Sequence, residues 1–231
     1  MSQHIYSIYP GSWPLVAESR VLLSVHPEVM DDLWAVGWRH FGPDFFRASL
    51  MADEFSLKRQ IPLRIKVCEF EMSRSQRRTL RRNAGLDVSF KEAAPGREER
   101  HLFEVHKTRF ARNIPERLED FLGLRPHGTP CPCLQLSVRE GERLLAASFL
   151  SIGRGACSSV YAVFDPEFSS RRLGVFTMLA ELQFAKARGY EYYYSGYATV
   201  EPSCYDYKKQ FRALEYYDWE GRWIPIAEMR S

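Results

Sequence analysis

The sequence predicts an α+β chain, a mixed and mostly antiparallel sheet flanked by helices, preceded by an N-terminal α/β extension. Three observations carry this. From Cys133 to Phe164 three apolar-rich runs follow one another, separated only by Arg139-Glu140-Gly141-Glu142 and Gly153-Arg154-Gly155, which is hairpin spacing. The third run leads through Asp165-Pro166 into a long apolar-periodic stretch closed by Gly189, and then into a tyrosine-rich run from Glu191. Strand, helix, strand in that order is the usual source of a parallel pair. Residues 1–72 read as an N-terminal region and 73–231 as the body.

Residues 1–17 read as an irregular arm, with Trp13-Pro14 packed on the body, and Ser19–Val25 as a strand. Pro27 opens a helix through Met30, Leu33 and Trp34, because its missing N–H is one a helix start leaves unbonded anyway. Arg39 to Arg47 is an aromatic and basic segment. Pro62–Phe70 alternates apolar and polar residues as a half-buried strand does. Ser73 and Gly85 frame a short helix, Leu86–Lys91 is a strand, and Arg97–Asn113 is a helix with Leu102, Phe103, His106 and Phe110 inward. A helical turn is expected at Leu118–Leu122. In the long helix, capped by Ser169 or Ser170, Leu173, Phe176, Thr177, Ala180, Phe184 and Ala187 share one face. Ala213–Trp219 and Trp223–Pro225 close the chain as a hairpin.

Composition limits the function classes. No apolar run approaches the ~20 residues that span a bilayer. The start has no charged region followed by an apolar core, so a cytoplasmic protein is expected. The five cysteines are odd in number and scattered, and the six histidines form no HxxxH pattern, so no metal is expected. The net charge of +3 says little, but its distribution says more. Arg74, Arg77, Arg78, Arg81 and Arg82 recur at helical spacing and share a face, where like charges cost roughly 0.2–0.5 kcal/mol per pair. From Leu57 to Arg82 nine basic residues stand against Glu69 and Glu71 alone. A polyanion would relieve that repulsion, and arginine offers a bidentate fork for phosphate, so a nucleic-acid backbone is the natural ligand.

Arg172 and Gly174 at the start of the long helix make a second anion-binding candidate. Arg171-Arg172-Leu173-Gly174-Val175-Phe176 is similar to the acyl-CoA-binding turn of the GNAT acyltransferases, except that Phe176 stands where a small residue is usual. Nine of the twelve tyrosines fall between Tyr190 and Tyr217. Among them Tyr194-Ser195-Gly196-Tyr197 and Tyr205-Asp206-Tyr207-Lys208 set rings beside a lysine, a combination suited to a single-stranded RNA end.

At this point the sequence resembles the aminoacyl-tRNA protein transferases of the N-degron pathway, the arginyl-transferring enzymes and their bacterial leucyl-transferring relatives. Four segments match in order: Gly37-Trp38-Arg39 with Phe46-Arg47, Ser73–Leu86, Asp165–Phe176 and Tyr194–Phe211. The resemblance implies a GNAT-like domain that moves arginine or leucine from charged tRNA to the N-terminal amine of an acceptor protein beginning with an acidic residue. It implies no CoA and no other cofactor. The N-terminal cysteine cluster that some members use for an iron-sulfur centre has no cysteine counterpart here, so no cluster is expected. Where the family usually has leucine between tyrosine and glycine this chain has Ser195, and Ala198 and Asp206 also depart from the pattern.

Because the tRNA ester is already activated, the enzyme mainly orients an unprotonated amine and stabilises the oxyanion. Asp206 or Glu201 could relay the proton, and Tyr194, Tyr197 or Tyr207 could hold the terminal adenosine or the carbonyl. Lys208 would meet phosphate or developing charge, and Arg39 or Arg47 the acidic acceptor. A monomer is expected. The rival readings are an acetyl-CoA-dependent N-acyltransferase and a non-catalytic tRNA-binding relative.

Overall fold

The computed structural model describes residues 13–53, 56–111 and 114–229. Its N-terminal part holds β1 (Ala17–Val21), α1 (Pro27–Ala35), β2 (Arg39–Phe41), β3 (Asp44–Ala48) and β4 (Leu50–Asp53). β1, β3 and β2 form a small antiparallel sheet in that order. The aromatic segment from Arg39 to Arg47 is thus the β2–β3 hairpin, and the first strand lies slightly earlier than expected. Of the expected arm, residues 1–12 lie outside the described residues. Trp13 packs on the body as expected, its indole N–H donating to the Ser49 carbonyl at 2.9 Å.

The remaining strands are β5 (Ser56–Lys66), β6 (Asp87–Glu92), β7 (Cys133–Glu140), β8 (Arg143–Ile152), β9 (Ala156–Phe164), β10 (Tyr192–Thr199), β11 (Leu214–Tyr217) and β12 (Trp223–Pro225). They make one sheet in the order β12-β11-β5-β10-β9-β8-β7-β6, with β4 paired to β5. Every pairing is antiparallel except β9 with β10, the parallel pair the strand-helix-strand pattern implies. This is the expected mixed and mostly antiparallel sheet. β5 starts and ends earlier than the expected Pro62–Phe70, and it lies between β10 and β11.

Four helices flank the sheet: α2 (Arg74–Arg82), α3 (Arg97–Lys107), α4 (Glu119–Leu122) and α5 (Leu173–Ala187). Ser73 and Gln76 cap α2 reciprocally. α3 stops at Lys107, before the expected end at Asn113, which lies outside the described residues. Leu102, Phe103 and His106 point inward as expected. Two expectations for α5 fail. Ser169 and Ser170 sit in a 3-10 turn, Pro166–Arg171, and the residue preceding the helix is Arg172 in left-handed backbone, φ 55°. The helix is also not one-faced. Ala187 is exposed, whereas Leu173 to Leu182 apart from Gly174 are all buried, because α2 covers the side away from the sheet. Arg172 Nη1 donates to Ser75 Oγ at 2.7 Å and Asn83 Nδ2 to the Arg171 carbonyl at 2.9 Å, pinning α2 there.

Ile61, Leu63, Ile65, Leu150, Leu179 and Tyr193 fill the α5 face of the sheet, and Leu102, Phe103, Leu118, Phe149 and Val163 the α3 face. Met30, Trp34, Trp38 and Phe45 dock the N-terminal part against Tyr194. Among the described residues no helix is long and apolar enough to cross a membrane.

Candidate active site

β9 and β10 pair only from Ala156 to Ser158 and from Tyr192 to Tyr194. Beyond that β10 slips register against β5 between Tyr194 and Gly196, leaving Ser195 as a bulge, and the two parallel strands part. Such a gap leaves backbone carbonyls without sheet partners. Arg39 fills it: Nη1 donates to the Ser159 carbonyl at 2.9 Å and Nη2 to the Val160 carbonyl at 3.3 Å. Gly196, at φ +92°, lies so close that a Cβ there would stand 2.5 Å from Arg39 Nη1. On the other side of the bulge, Lys208 Nζ donates to the Ser195 carbonyl at 2.8 Å and stands 5.2 Å from the centre of the Tyr205 ring. Lys208 comes from the short 3-10 turn Asp206–Gln210 that follows β10.

Burial, with repulsion from Arg39 added, brings Lys208 down to about 7, and Glu181 only partly offsets this. Glu181 lies wholly buried in α5 and accepts from the Tyr193 hydroxyl at 2.5 Å; burial pushes its carboxyl upward. Burial takes Tyr194 and Tyr207 up to about 12 and raises Tyr197 and Tyr161 as well. The phenols therefore stay protonated at neutral pH and act as donors, while Lys208 is poised to exchange a proton there.

The other expected site residues are distributed as follows. The Tyr197 hydroxyl donates to the Gly37 carbonyl at 2.6 Å, and Tyr194 packs among Trp34, Tyr192 and Trp223. Asp206 pairs with Lys209 at 2.9 Å and accepts from the Ser203 N–H; against partial burial, these partners hold it below the usual carboxylate range. Glu201 is engaged by both the side chain and the N–H of Arg59, at 2.7 and 2.8 Å. Arg47 pairs with Glu18 at 2.7 Å. Arg172 is turned toward α2, and Gly174 gives room to the Phe164 ring, 3.0 Å from where a Cβ would stand. On α2 the five arginines are exposed opposite the buried Gln76, Thr79 and Asn83. None has a carboxylate partner among the described residues; Arg77 bonds to the Met72 carbonyl and Arg82 to that of Ser170.

Three functional candidates were not read from the sequence. Glu181 looked like the polar side of an amphipathic helix, and only burial all round α5 reveals it. Tyr161 on β9 stacks on Phe121 with ring centres 3.8 Å apart. Arg109, just past α3, lies over Phe164 at 4.3 Å, is exposed, and has no carboxylate partner among the described residues. Its charge acts on Tyr161, Tyr205 and Tyr207. A cavity of about 280 Å³ between α3 and α4, lined by Arg100, Glu119 and His127 among others, contains none of these groups.

Residues 98–218, which supply Glu181, Ser195 and Lys208, match the family described as "Arginine-tRNA-protein transferase, C terminus". The chain belongs to that family. Similar proteins include the aspartate/glutamate leucyltransferase of Marinobacter nauticus, 30% identical over 88% of this chain and 84% of that protein. The protein of the same name from Campylobacter jejuni subsp. jejuni is 28% identical over 86% and 83%, and that of Stenotrophomonas maltophilia is 32% identical over 68% and 66%. Among solved structures, the C-terminal domain of a lysylphosphatidylglycerol synthetase from Agrobacterium fabrum is 14% identical over 80% of this chain and 55% of that one, with a TM-score of 0.47. FemX is 11% identical over 76% and 61%, with a TM-score of 0.45. The resemblance read from the motifs is borne out, and the enzyme class with it: the chain is an aminoacyltransferase of the arginine-tRNA-protein transferase family. Arg39 and the arginine face of α2 lie outside the matched segment.

Proposed function

We propose that this transferase moves an amino acid, leucine by likeness to the relatives named above, from charged tRNA to the N-terminal amine of cytoplasmic proteins that begin with Asp or Glu, and that it works as a monomer. The observation that carries the reading is the Lys208 amine, held on the bulged Ser195 carbonyl and brought down to about 7, within the segment matched to the family.

In the reaction the acceptor amine attacks the ester carbonyl, a C–N bond forms, and the bond to the ribose oxygen breaks. The proton lost by the nitrogen passes to neutral Lys208 and from there to the leaving ribose hydroxyl, so no covalent intermediate is needed. Asp206 and Glu201 are engaged by Lys209 and Arg59, which favours Lys208 over either as the base. The five exposed arginines of α2, unpaired with any carboxylate among the described residues, support a contact with tRNA phosphates.

Transfer of radiolabelled leucine or arginine from charged tRNA to peptides differing only in a first residue of Asp, Glu or Ala tests this. Label entering the acidic peptides is expected. Binding of charged tRNA with no transfer to any peptide would overturn the activity.

A further inference from the structure

We propose that Arg39 is a positioning residue of the transfer site: clamped between the parting ends of β9 and β10, it fixes the bulge of β10 and, by its charge, makes Lys208 the group that accepts the amine proton. The proposal rests on the reading of Lys208 given above.

The geometry is specific. Arg39 stands in β2, in the small N-terminal sheet, yet its guanidinium bonds to two successive carbonyls of β9 about 120 positions along the chain. Gly196 is shaped around it, since no side chain fits there while the guanidinium is present. A neutral donor could satisfy the two carbonyls. Burying a charge for that task alone is costly, and burial does work against the charge on Arg39. The neighbouring arginines are compensated: Arg47 by Glu18, Arg59 by Glu201, Arg64 by Glu215. Arg39 has no carboxylate partner among the described residues, so its field is left to act on what stands next to it.

Ser195 and Gly196 are consecutive, so Arg39, against Gly196, and Lys208, on the Ser195 carbonyl, face the same bulge of β10. The groups acting on Lys208 come from each side: Arg39 from β2, Glu181 from α5, and Cys204 with Tyr205 from its own loop. Of the groups that favour the ammonium, Glu181 acts more strongly than Cys204, but it is itself buried, shared with the Tyr193 hydroxyl and pushed toward its neutral form. The balance therefore turns on Arg39 and on burial. Loss of the Arg39 charge removes the repulsion and leaves Lys208 protonated to higher pH.

Competitive labelling of Lys208 with acetic anhydride, read by mass spectrometry over a range of pH in the full chain, measures its titration without reference to activity. Wild type, Arg39→Gln and Arg39→Lys are compared, each checked for a cooperative thermal transition. The wild-type midpoint is expected near 7. In Arg39→Gln it rises by about one unit, since one charge is removed at short range. In Arg39→Lys, which keeps the charge, it stays close to wild type. The rising limb of transfer against pH moves with the labelling midpoint.

A wild-type midpoint in the ordinary lysine range overturns the proposal without any variant. Equal midpoints in wild type and Arg39→Gln overturn it, and so does an equal rise in both variants, because packing and not charge would then be responsible. If wild type moves no label to any peptide, the proposed activity fails while the labelling still decides the effect of Arg39.

Discussion

Gly196→Ala tests the contact between β10 and Arg39 most directly. Two costs add. At φ +92° an alanine is held in a backbone region that L residues rarely occupy, roughly 1–3 kcal/mol. Its Cβ would also stand 2.5 Å from Nη1 and 2.8 Å from Cζ of Arg39, which no rotamer adjustment of a methyl can relieve. The guanidinium must leave, forfeiting charged hydrogen bonds to Ser159 and Val160 worth about 1.5–3 kcal/mol each, the longer one less. At the low end of these ranges the lost bonds cost about 2 kcal/mol and the sum is at least about 3 kcal/mol, a large fraction of the stability of a typical domain. In an Arg39→Ala background the second cost vanishes and only the backbone cost remains. Urea unfolding of wild type, both single variants and the double variant should therefore show a coupling of about 2 kcal/mol, the double variant being more stable than the sum predicts. Additivity within about 0.5 kcal/mol would refute the contact.

Further outcomes follow from the same geometry. Arg78→Ala with Arg81→Ala should weaken tRNA binding and flatten the dependence of log affinity on log salt by about 1–2, with the melting temperature unchanged because both side chains are exposed and without a carboxylate partner among the described residues. Arg109 is exposed and has no carboxylate partner among the described residues, which suits it to meet an acidic first residue of the acceptor; Arg109→Gln should then lower transfer to Asp- and Glu-first peptides by about tenfold, roughly 1.4 kcal/mol, while tRNA binding holds, and equal transfer would refute that role. His40 and His106 are brought down to about 4 by burial, opposed by hydrogen bonds to the Gly42 and Phe164 backbone and assisted by the charges of Arg39 and Arg109. Their folded values lie below the unfolded 6.5, so the stability they contribute is complete above pH 6.5 and is lost as pH falls toward 4. Urea midpoints across that window should fall with a slope of about two protons, reduced to about one by His40→Asn or His106→Asn.

The regular parts of the chain were legible because they are locally determined. Ser73 and Gly85 announce a framed short helix, the connections at Gly141 and at Gly153–Gly155 announce hairpins, and the arginine spacing on α2 gives its exposed face before any packing is known. Long-range contacts were not legible. Nothing near Pro62 says that β5 pairs with Tyr192–Thr199 on one side and Leu214–Tyr216 on the other. The one-faced pattern expected for α5 missed α2 as its second neighbour, and with it the burial of Glu181. The motif Tyr205–Lys208 was found as a string of residue types, but the state of Lys208 depends on Arg39, more than 160 positions earlier. Asp206, chosen as a proton relay for its carboxylate, has a local partner in Lys209 that its spacing alone did not decide.

The position of β5 also governs the order in which this chain can be assembled. Synthesis delivers Ser56–Lys66 early, yet both of its principal strand partners lie in the last 40 residues. Until those emerge, an apolar strand carrying Ile61, Leu63 and Ile65 waits without its mates, while the β7–β8–β9 hairpins can close among themselves. Sheet completion is therefore a late step that brings Ser56–Lys66 between Tyr192–Thr199 and Leu214–Tyr217.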